Sequence, residues 1–417
     1  MAGANGGTPR RVAVTGIGAV TPVGTGVDEF WDALLAGRSG IGPVEAFDTK
    51  GQRVHIAGEV SDFDARDWMN PKDVKRVDRF VHMSLAAAKL AVDDAGFEAE
   101  NPERVATSFS SAVAGMIGHT REAQKLQQRG PRLVSPFTIP ALIPNMAGGM
   151  IAMKFGFGGP SICPVSACAS SADAVGLGFR MVRDGYADAC LAGGGDAPVC
   201  DLVLAAFANL RALSTHNEDP TGASRPFDAT RDGFVLAEGS GALMLEPLDR
   251  ARARGAKVYA EVCGYGVASD AYHATAPDPH GKGAARAIRE ALADADLEPE
   301  SVDYINAHGT STPMSDEGET RAVRRALGEH ADAVAISSTK SMTGHLLGAA
   351  GAIESAACAL AIRDGRIPPT INYATPDPEC DLDYVPNESR TANVDVALCN
   401  AMGFGGHDVV VAFRKPD

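Results

Sequence analysis

Three side chains in this sequence could handle a nucleophile and its protons: Cys168, His308 and His345. Cys168 lies in Val165-Ser166-Ala167-Cys168-Ala169-Ser170-Ser171, where 162–165 reads as a short buried strand and 169–183 as a helix of small residues. A thiol just inside a helix N-terminus meets the positive end of the backbone dipole and unpaired N–H groups. Both favour thiolate, and the same N–H groups can hold a negative oxygen. Cys168 is therefore the candidate for covalent catalysis, its own amide forming half of an oxyanion hole; the plain alternative is a buried structural cysteine.

His308 sits in Asn306-Ala307-His308-Gly309-Thr310-Ser311-Thr312 and His345 in Lys340-Ser341-Met342-Thr343-Gly344-His345, each in a glycine- and hydroxyl-rich loop after an expected strand. Either one alone is weak evidence, since an isolated histidine is more often a satisfied structural residue; the recurrence of the context points to a site. With no HxxxH spacing and no carboxylate beside them at ligand register, the pair argues against a metal. In Cys399-Asn400-Ala401-Met402-Gly403-Phe404-Gly405-Gly406-His407, an aromatic between glycines can bring an N–H to a reacting atom and keep its ring as a gate. The same stretch could be only the turn between the last two strands. His273 and His407 lie in loops that could border a site, whereas His55, His119 and His330 carry no pattern.

The elements that must position these groups alternate between strand and helix. Expected strands fall at 11–16, 105–110, 187–195, 234–245, 258–265, 303–306, 333–336 and 396–399, with glycines 239 and 241 marking a bulge. Expected helices fall at 27–35, 83–95, 122–128, 141–155, 283–293, 317–327 and 345–363, the one at 141–155 apolar all round and so buried. A small-residue helix ending Arg-Asp-Gly occurs twice, at Arg183-Asp184-Gly185 and at Arg363-Asp364-Gly365. Read as a duplication, this divides the chain into halves 1–257 and 258–417 with parallel-rich sheets covered by helices. Cys168 would start one helix and His345 the other, facing each other across the interface.

A chain of 417 residues, 45% hydrophobic and 22% charged, suits a large soluble globular fold. Its formal net charge of −15 argues against nucleic acid as a partner. The eight cysteines form no CxxC pair and read as reduced thiols of a cytoplasmic protein. Met1 to Thr8 reads as a flexible lead without the apolar core of a signal peptide. The longest apolar stretch, 346–362, carries Glu354 and falls short of the roughly 20 residues of a membrane span.

Val165-Ser166-Ala167-Cys168, the His308-Gly309-Thr310-Ser311-Thr312 loop, Lys340-Ser341-Met342-Thr343-Gly344-His345 and Gly403-Phe404-Gly405-Gly406, in this order, resemble the β-ketoacyl-[acyl carrier protein] synthases, most closely the type II elongation enzymes. The likeness runs from Val12 to Phe413 and includes Ser224-Arg225-Pro226-Phe227-Asp228. It implies the thiolase fold, an α/β, internally duplicated five-layered α-β-α-β-α arrangement, normally a homodimer. It also implies decarboxylative condensation of an acyl-carrier protein with malonyl-carrier protein in fatty acid elongation. Cys168 would carry the acyl group, the amides of Cys168 and Phe404 would hold the tetrahedral oxyanion, and neutral His308 and His345 would stabilise the enolate. Lys340, Glu354 and Asn400 would support them.

Further roles follow from the same resemblance. Thr310, Thr312 and Thr275 would bind the phosphopantetheine arm, which arrives on the carrier, so no separate cofactor is implied. Val113 would line the acyl pocket, and Lys72, Lys75, Arg76, Arg132 and Arg211 would dock the acidic carrier protein. A ketosynthase subunit of a type II polyketide or polyene pathway, paired with a chain-length subunit, shares the same three groups. A non-catalytic chain-length subunit would lack the cysteine, and a Cys-His hydrolase would need a water path. Ser166 and His407-Asp408 depart from the more usual Thr and Thr-Asn, and Ser110-Ser111-Ala112-Val113-Ala114 has fewer glycines than the common pattern.

Overall fold

The computed structural model describes residues 9–417, so the expectation for Met1 to Thr8 lies outside the described residues. Ten strands build one sheet: β1 (Val12–Thr21), β2 (Val105–Ser110), β3 (Ser161–Ile162), β4 (Ala189–Asp196), β5 (Gly239–Pro247), β6 (Ala260–Ser269), β7 (Tyr304–Asn306), β8 (Ala335–Ser337), β9 (Val396–Gly403) and β10 (His407–Arg414). Their order is β8-β7-β9-β10-β6-β1-β5-β4-β2-β3, with Gly24–Thr25 as an extra ribbon on β1.

Outward from the seam between β1 and β6, the first half runs β1-β5-β4-β2-β3 and the second β6-β10-β9-β7-β8. Each strand of one half therefore has its counterpart five strands later. The pairing senses match as well: antiparallel for the two contacts nearest the seam and parallel for the two outermost, in both halves. The halves join through three residue pairs, Val12 with Val262, Ala13 with Glu261 and Val14 with Ala260. The duplication that the repeated Arg-Asp-Gly ending suggests is thus written into the topology.

Six helices cover and separate the two half-sheets: α1 (Arg79–Ala95), α2 (Met146–Phe155), α3 (Ser170–Arg183), α4 (Lys282–Asp294), α5 (Pro313–Leu327) and α6 (Ala350–Asp364). Helices α1 and α2 cover the outer face of the first half-sheet, and α4, with α5 against it, covers that of the second. Helices α3 and α6 lie between the two half-sheets, giving five layers. Their small residues are what allow this. A Cβ on Gly351 would meet Ala172 N at 2.6 Å, and a Cβ on Gly176 would meet the Tyr265 ring at 2.1 Å. Every residue of α6 from Ala350 to Ile362 is buried, so the apolar run that falls short of a bilayer is a core helix. No helix among the described residues is long and apolar enough to cross a membrane.

Several sequence expectations need correction. The strand expected at 162–165 is only Ser161–Ile162, and Val165 is 52% exposed. The helix expected at 141–155 is two, Thr138–Leu142 and Met146–Phe155, broken where Pro144 removes a donor and restrains the residue before it. Its all-round apolar character does not make it buried: Met153 is 68% exposed. The strand expected from 234 starts at Gly239, because 234–238 make only isolated bridges, to Leu213, to His345 and to Gly58 at the end of the short strand Ile56–Gly58. The irregular register lies opposite, between Val14 and Gly16 of β1. The helices expected from 83 and 122 begin earlier, at Arg79 and Met116.

Candidate active site

Neither Cys168 nor His345 starts a helix. Cys168 occupies a 3-10 turn, Ala167–Ala169, ahead of α3, and the corresponding turn Leu347–Ala349 precedes α6. Each turn contains a non-glycine residue with left-handed backbone, Ala167 at φ 52° and Leu347 at φ 50°, a strained conformation held by the surrounding packing. The pseudo-symmetric counterpart of Cys168 is therefore Gly348, and His345 lies in the loop before that turn. A Cβ on Gly348 would meet Ala112 N at 2.6 Å and Asp196 Oδ2 at 2.7 Å. The second turn has thus been given over to close packing behind the first.

A cavity of about 360 Å³ is lined by Cys168, His308, His345, Phe404, Thr275, Thr310, Thr312 and Arg211, among others. The His308 and His345 rings stand edge to face, centroids 5.5 Å apart at 86°, and Phe234 packs edge-on against His345 at 5.2 Å. His345 is held by its backbone N–H donating to Val235 O at 2.8 Å. The backbone N–H groups of His308 and Gly309 donate to Glu319 at 2.9 and 2.7 Å. Phe404 lies in the hairpin between β9 and β10, so the turn reading and the gate position are the same place. A Cβ on Gly403 would come within 2.3 Å of Ser166 O, which is why a glycine there lets the hairpin lie on the nucleophile turn. The backbone amides of Phe404 and of Cys168 itself favour the ionised sulfur, against the burial that opposes it.

The electrostatics differ from those expected of a helix-start thiolate. Cys168 touches the cavity but is otherwise enclosed, and burial pushes its thiol up to about 12; the Lys340 cation and the Phe404 amide pull the other way and do not win. Burial, with Lys340 adding to it, holds both imidazoles well below their ordinary value, so His308 and His345 are neutral near pH 7. Neither Nδ1 has a hydrogen-bond partner among the described residues. Lys340 is 1% exposed and paired with Glu354, itself buried in α6. Burial pushes the Glu354 carboxyl up, while Lys340 pulls it back down. No group of three or more His, Cys, Asp or Glu among the described residues is placed to hold a metal ion.

The model of the β-ketoacyl synthase N-terminal domain matches residues 9–251 and that of the C-terminal domain residues 259–374. The chain belongs to the β-ketoacyl synthase family. It is 51% identical over 408 residues to a 3-oxoacyl-[acyl-carrier-protein] synthase 2 of Synechocystis sp., covering 97% of this chain and 98% of the relative. It is 45% identical, with the same coverage, to the enzyme of that name from Staphylococcus aureus. Among solved structures, a type II polyketide ketosynthase in complex with its acyl-carrier protein superposes with TM-score 0.92 at 37% identity, covering 98% of this chain and 100% of that one. A β-ketoacyl synthase from Burkholderia phymatum gives 0.90 at 33%, with the same coverage. The synthase has the thiolase fold.

Within the synthase, most residues expected at the site line one cavity. Thr310 and Thr312 share a hydrogen bond at 3.0 Å, and Thr275 lies across from them. Asn400 is buried and donates from Nδ2 to Glu319 at 3.1 Å. Val113 does not line the cavity; it packs in an apolar cluster with Cys168, Phe207, Met116 and Leu347 behind it. The basic residues divide. Lys75 and Arg76 share a separate polar cleft with Arg121 and Lys125, and Lys72 sits on the adjoining short helix Pro71–Val74. Arg132 is exposed on the turn Pro131–Leu133, whereas Arg211 belongs to the rim of the catalytic cavity. His273 and His407 are exposed and do not line it.

Two organising carboxylates escape sequence reasoning. Asp196 closes β4 and accepts from Ser111 Oγ at 2.5 Å and from the N–H groups of Ala112, Val113 and Gly348 at 2.9, 3.1 and 2.8 Å. It ties the loop after β2 to the turn behind Cys168. Glu319, on α5, fixes the His308 loop and Asn400 together. The three glycines before Asp196 were a usable signal; nothing in the sequence around Glu319 distinguishes it from a surface helix acid.

Proposed function

We propose that this synthase condenses an acyl-[acyl carrier protein] with malonyl-[acyl carrier protein], releasing CO₂, to give a 3-oxoacyl-[acyl carrier protein] in fatty acid elongation. The observation that carries the reading is one cavity lined by Cys168, by the Phe404 loop, and by two neutral imidazoles with centroids 5.5 Å apart. In the first half-reaction the sulfur of Cys168 bonds the acyl carbonyl carbon. The carrier's phosphopantetheine sulfur leaves with the proton that Cys168 gives up, and the amides of Cys168 and Phe404 stabilise the oxyanion. Because the thiol rests protonated, this proton must move with the attack.

In the second half-reaction the bond between the malonyl α-carbon and its carboxylate breaks. The electron pair passes to the thioester oxygen, held by N–H donors from His308 and His345. An unpartnered Nδ1 on each ring favours the tautomer with the proton on Nε2, since an unmet acceptor costs less than a buried unmet N–H. The enolate carbon then attacks acyl-Cys168, the carbon–sulfur bond breaks, and the sulfur regains a proton. Thr275, Thr310 and Thr312 would hold the phosphopantetheine arm, and Val113, with Phe207 and Met116, would bound the acyl chain. Lys340, Glu354 and Asn400 are positioning residues.

The halves 1–257 and 258–417 would contribute nucleophile and histidines respectively. Lys72, Lys75, Arg76, Arg132 and Arg211 would meet an acidic carrier protein. A homodimer is proposed for the assembly, and the free cysteines fit a cytoplasmic setting. A second reading, a polyketide ketosynthase working with a chain-length partner, is favoured by the likeness to the type II ketosynthase and to the ishigamide ketosynthase/chain length factor.

Intact mass after mixing with acyl-carrier protein tests the first step: Cys168→Ala should form no adduct, and an unchanged adduct sinks the assignment. His308→Ala should still acylate but lose CO₂ release. A ladder of acyl chains with malonyl-carrier protein separates the two pathways. Single-round products at every turn support elongation, and retained poly-keto chains support the second reading.

A further inference from the structure

Two loops frame the mouth of the catalytic cavity, 270–278 with Thr275 and 403–407 with Phe404. Backbone bonds tie them: Gly405 N–H donates to Ala274 O and Asp270 N–H to Gly406 O, both at 2.9 Å. Beneath this tie lies Asp408, 3% exposed, with its Oδ2 lacking a hydrogen-bond partner among the described residues. It faces another carboxylate. The point a Cβ on Gly283 would occupy is 2.3 Å from Asp270 Oδ1 and 2.3 Å from Asp408 Oδ2, so the two acids crowd the space that this glycine leaves open.

Asp270 Oδ2 is already engaged, accepting from Asp278 N–H at 2.9 Å. Two facing carboxylates with an unmet oxygen are consistent with each other only when one of them carries a proton and donates it. The other charged groups facing Asp408 are Arg286, which favours its ionised form, and Asp278, which opposes it. Arg286 is spent elsewhere, donating to Ser269 O at 2.8 Å, and the Asp278 carboxylate accepts from the N–H groups of His280 and Lys282. Burial first, then Asp270, raises Asp408 to about 8.

We propose that Asp270 and Asp408 share a proton as a latch holding the Phe404 loop against the Thr275 loop, and that losing the proton releases the loops. Acidic solution closes the mouth over Cys168 and alkaline solution frees it. The consequence for acyl entry rests on the condensing-enzyme reading; the latch does not. When the loops part, Asp408 returns to the ordinary carboxylate range, so closing takes up one proton. The closing constant then falls up to tenfold per pH unit until about pH 8 and levels off above it.

Hydrogen–deuterium exchange of the full-length protein without substrate, read on 270–278 and 403–408 from about pH 6 to 9 and corrected for intrinsic rates, measures that constant. Wild type should lose protection up to tenfold per unit below pH 8, whereas Asp408→Asn should be flat. Asp270→Asn should level off at a lower pH than wild type, because the facing charge is gone and its amide can donate to an ionised Asp408, while burial still raises that carboxyl. Constant protection in wild type, a slope surviving in Asp408→Asn, or a levelling point unmoved in Asp270→Asn overturns the latch. Because no substrate is present, that result stands apart from failure of the condensation assay.

Discussion

Replacing Lys340 by Met tests how the buried ion pair supports the site. Both side chains of the pair are about 2% exposed, and Glu354 Oε2 has no partner among the described residues even with Lys340 in place. Without the cation, the cheapest escape for Glu354 is to take a proton. A carboxyl that ionises near 4.5 when unfolded costs about 1.4 kcal/mol per pH unit to protonate, hence about 3 to 4 kcal/mol at pH 7 and about 1 kcal/mol at pH 5.

The sign follows directly: the folded variant binds one more proton than its unfolded chain, so its stability falls as pH rises above about 4.5. Chemical denaturation at several pH values, comparing Lys340→Met with Lys340→Met/Glu354→Gln, isolates the carboxyl from every other titrating group. The double variant should recover most of the loss at pH 7 and little at pH 5. A single variant within about 1 kcal/mol of wild type at pH 7, or a gap between the two that does not change with pH, refutes the reasoning.

Other outcomes follow from the same site. His308 and His345 are held neutral below their ordinary value. As pH falls below about 6.5 the unfolded chain gains protons that the fold refuses, and stability should drop by up to about 1.4 kcal/mol per pH unit for each ring. Denaturation midpoints from pH 7 to 5 check this, and a flat midpoint in wild type with a slope in His308→Ala would contradict it. Glu319→Gln places an amide where two backbone N–H groups and Asn400 all donate. The His308 loop should loosen at a cost of about 1 to 3 kcal/mol, and CO₂ release from malonyl-carrier protein should slow more than acylation of Cys168. Equal slowing of both steps would make Glu319 a general stability residue.

Local chemistry made much of this legible in the chain. Helix 27–35 and strand 105–110 coincide with the structure to the residue; the helix's amphipathic repeat needs no partner to declare itself. The break at Pro144 was missed although the residue was in view, since an all-apolar stretch masked it. Phe234–Ala237 reads as strand because its residues are apolar, but it makes only isolated bridges, to Leu213, His345 and Gly58, and no continuous ladder. Glu319 is illegible for a different reason: it serves the N–H groups of His308 and Gly309 and the Asn400 amide, contacts that leave no compositional trace around it.

By itself the sequence singled out Cys168, His308 and His345 as candidate groups and pointed to a chain built twice, since the cysteine, the imidazole loops and the repeated Arg-Asp-Gly helix ends are local patterns. Tertiary structure decided their state. Burial between the two half-sheets leaves Cys168 a thiol and both histidines neutral, where a helix end alone argued for thiolate. It also set Gly348, not His345, opposite the nucleophile, and brought Asp408 against Asp270. Charge state and pairing depend on what surrounds a group in space, and neighbours along the chain supply only a part of that surrounding.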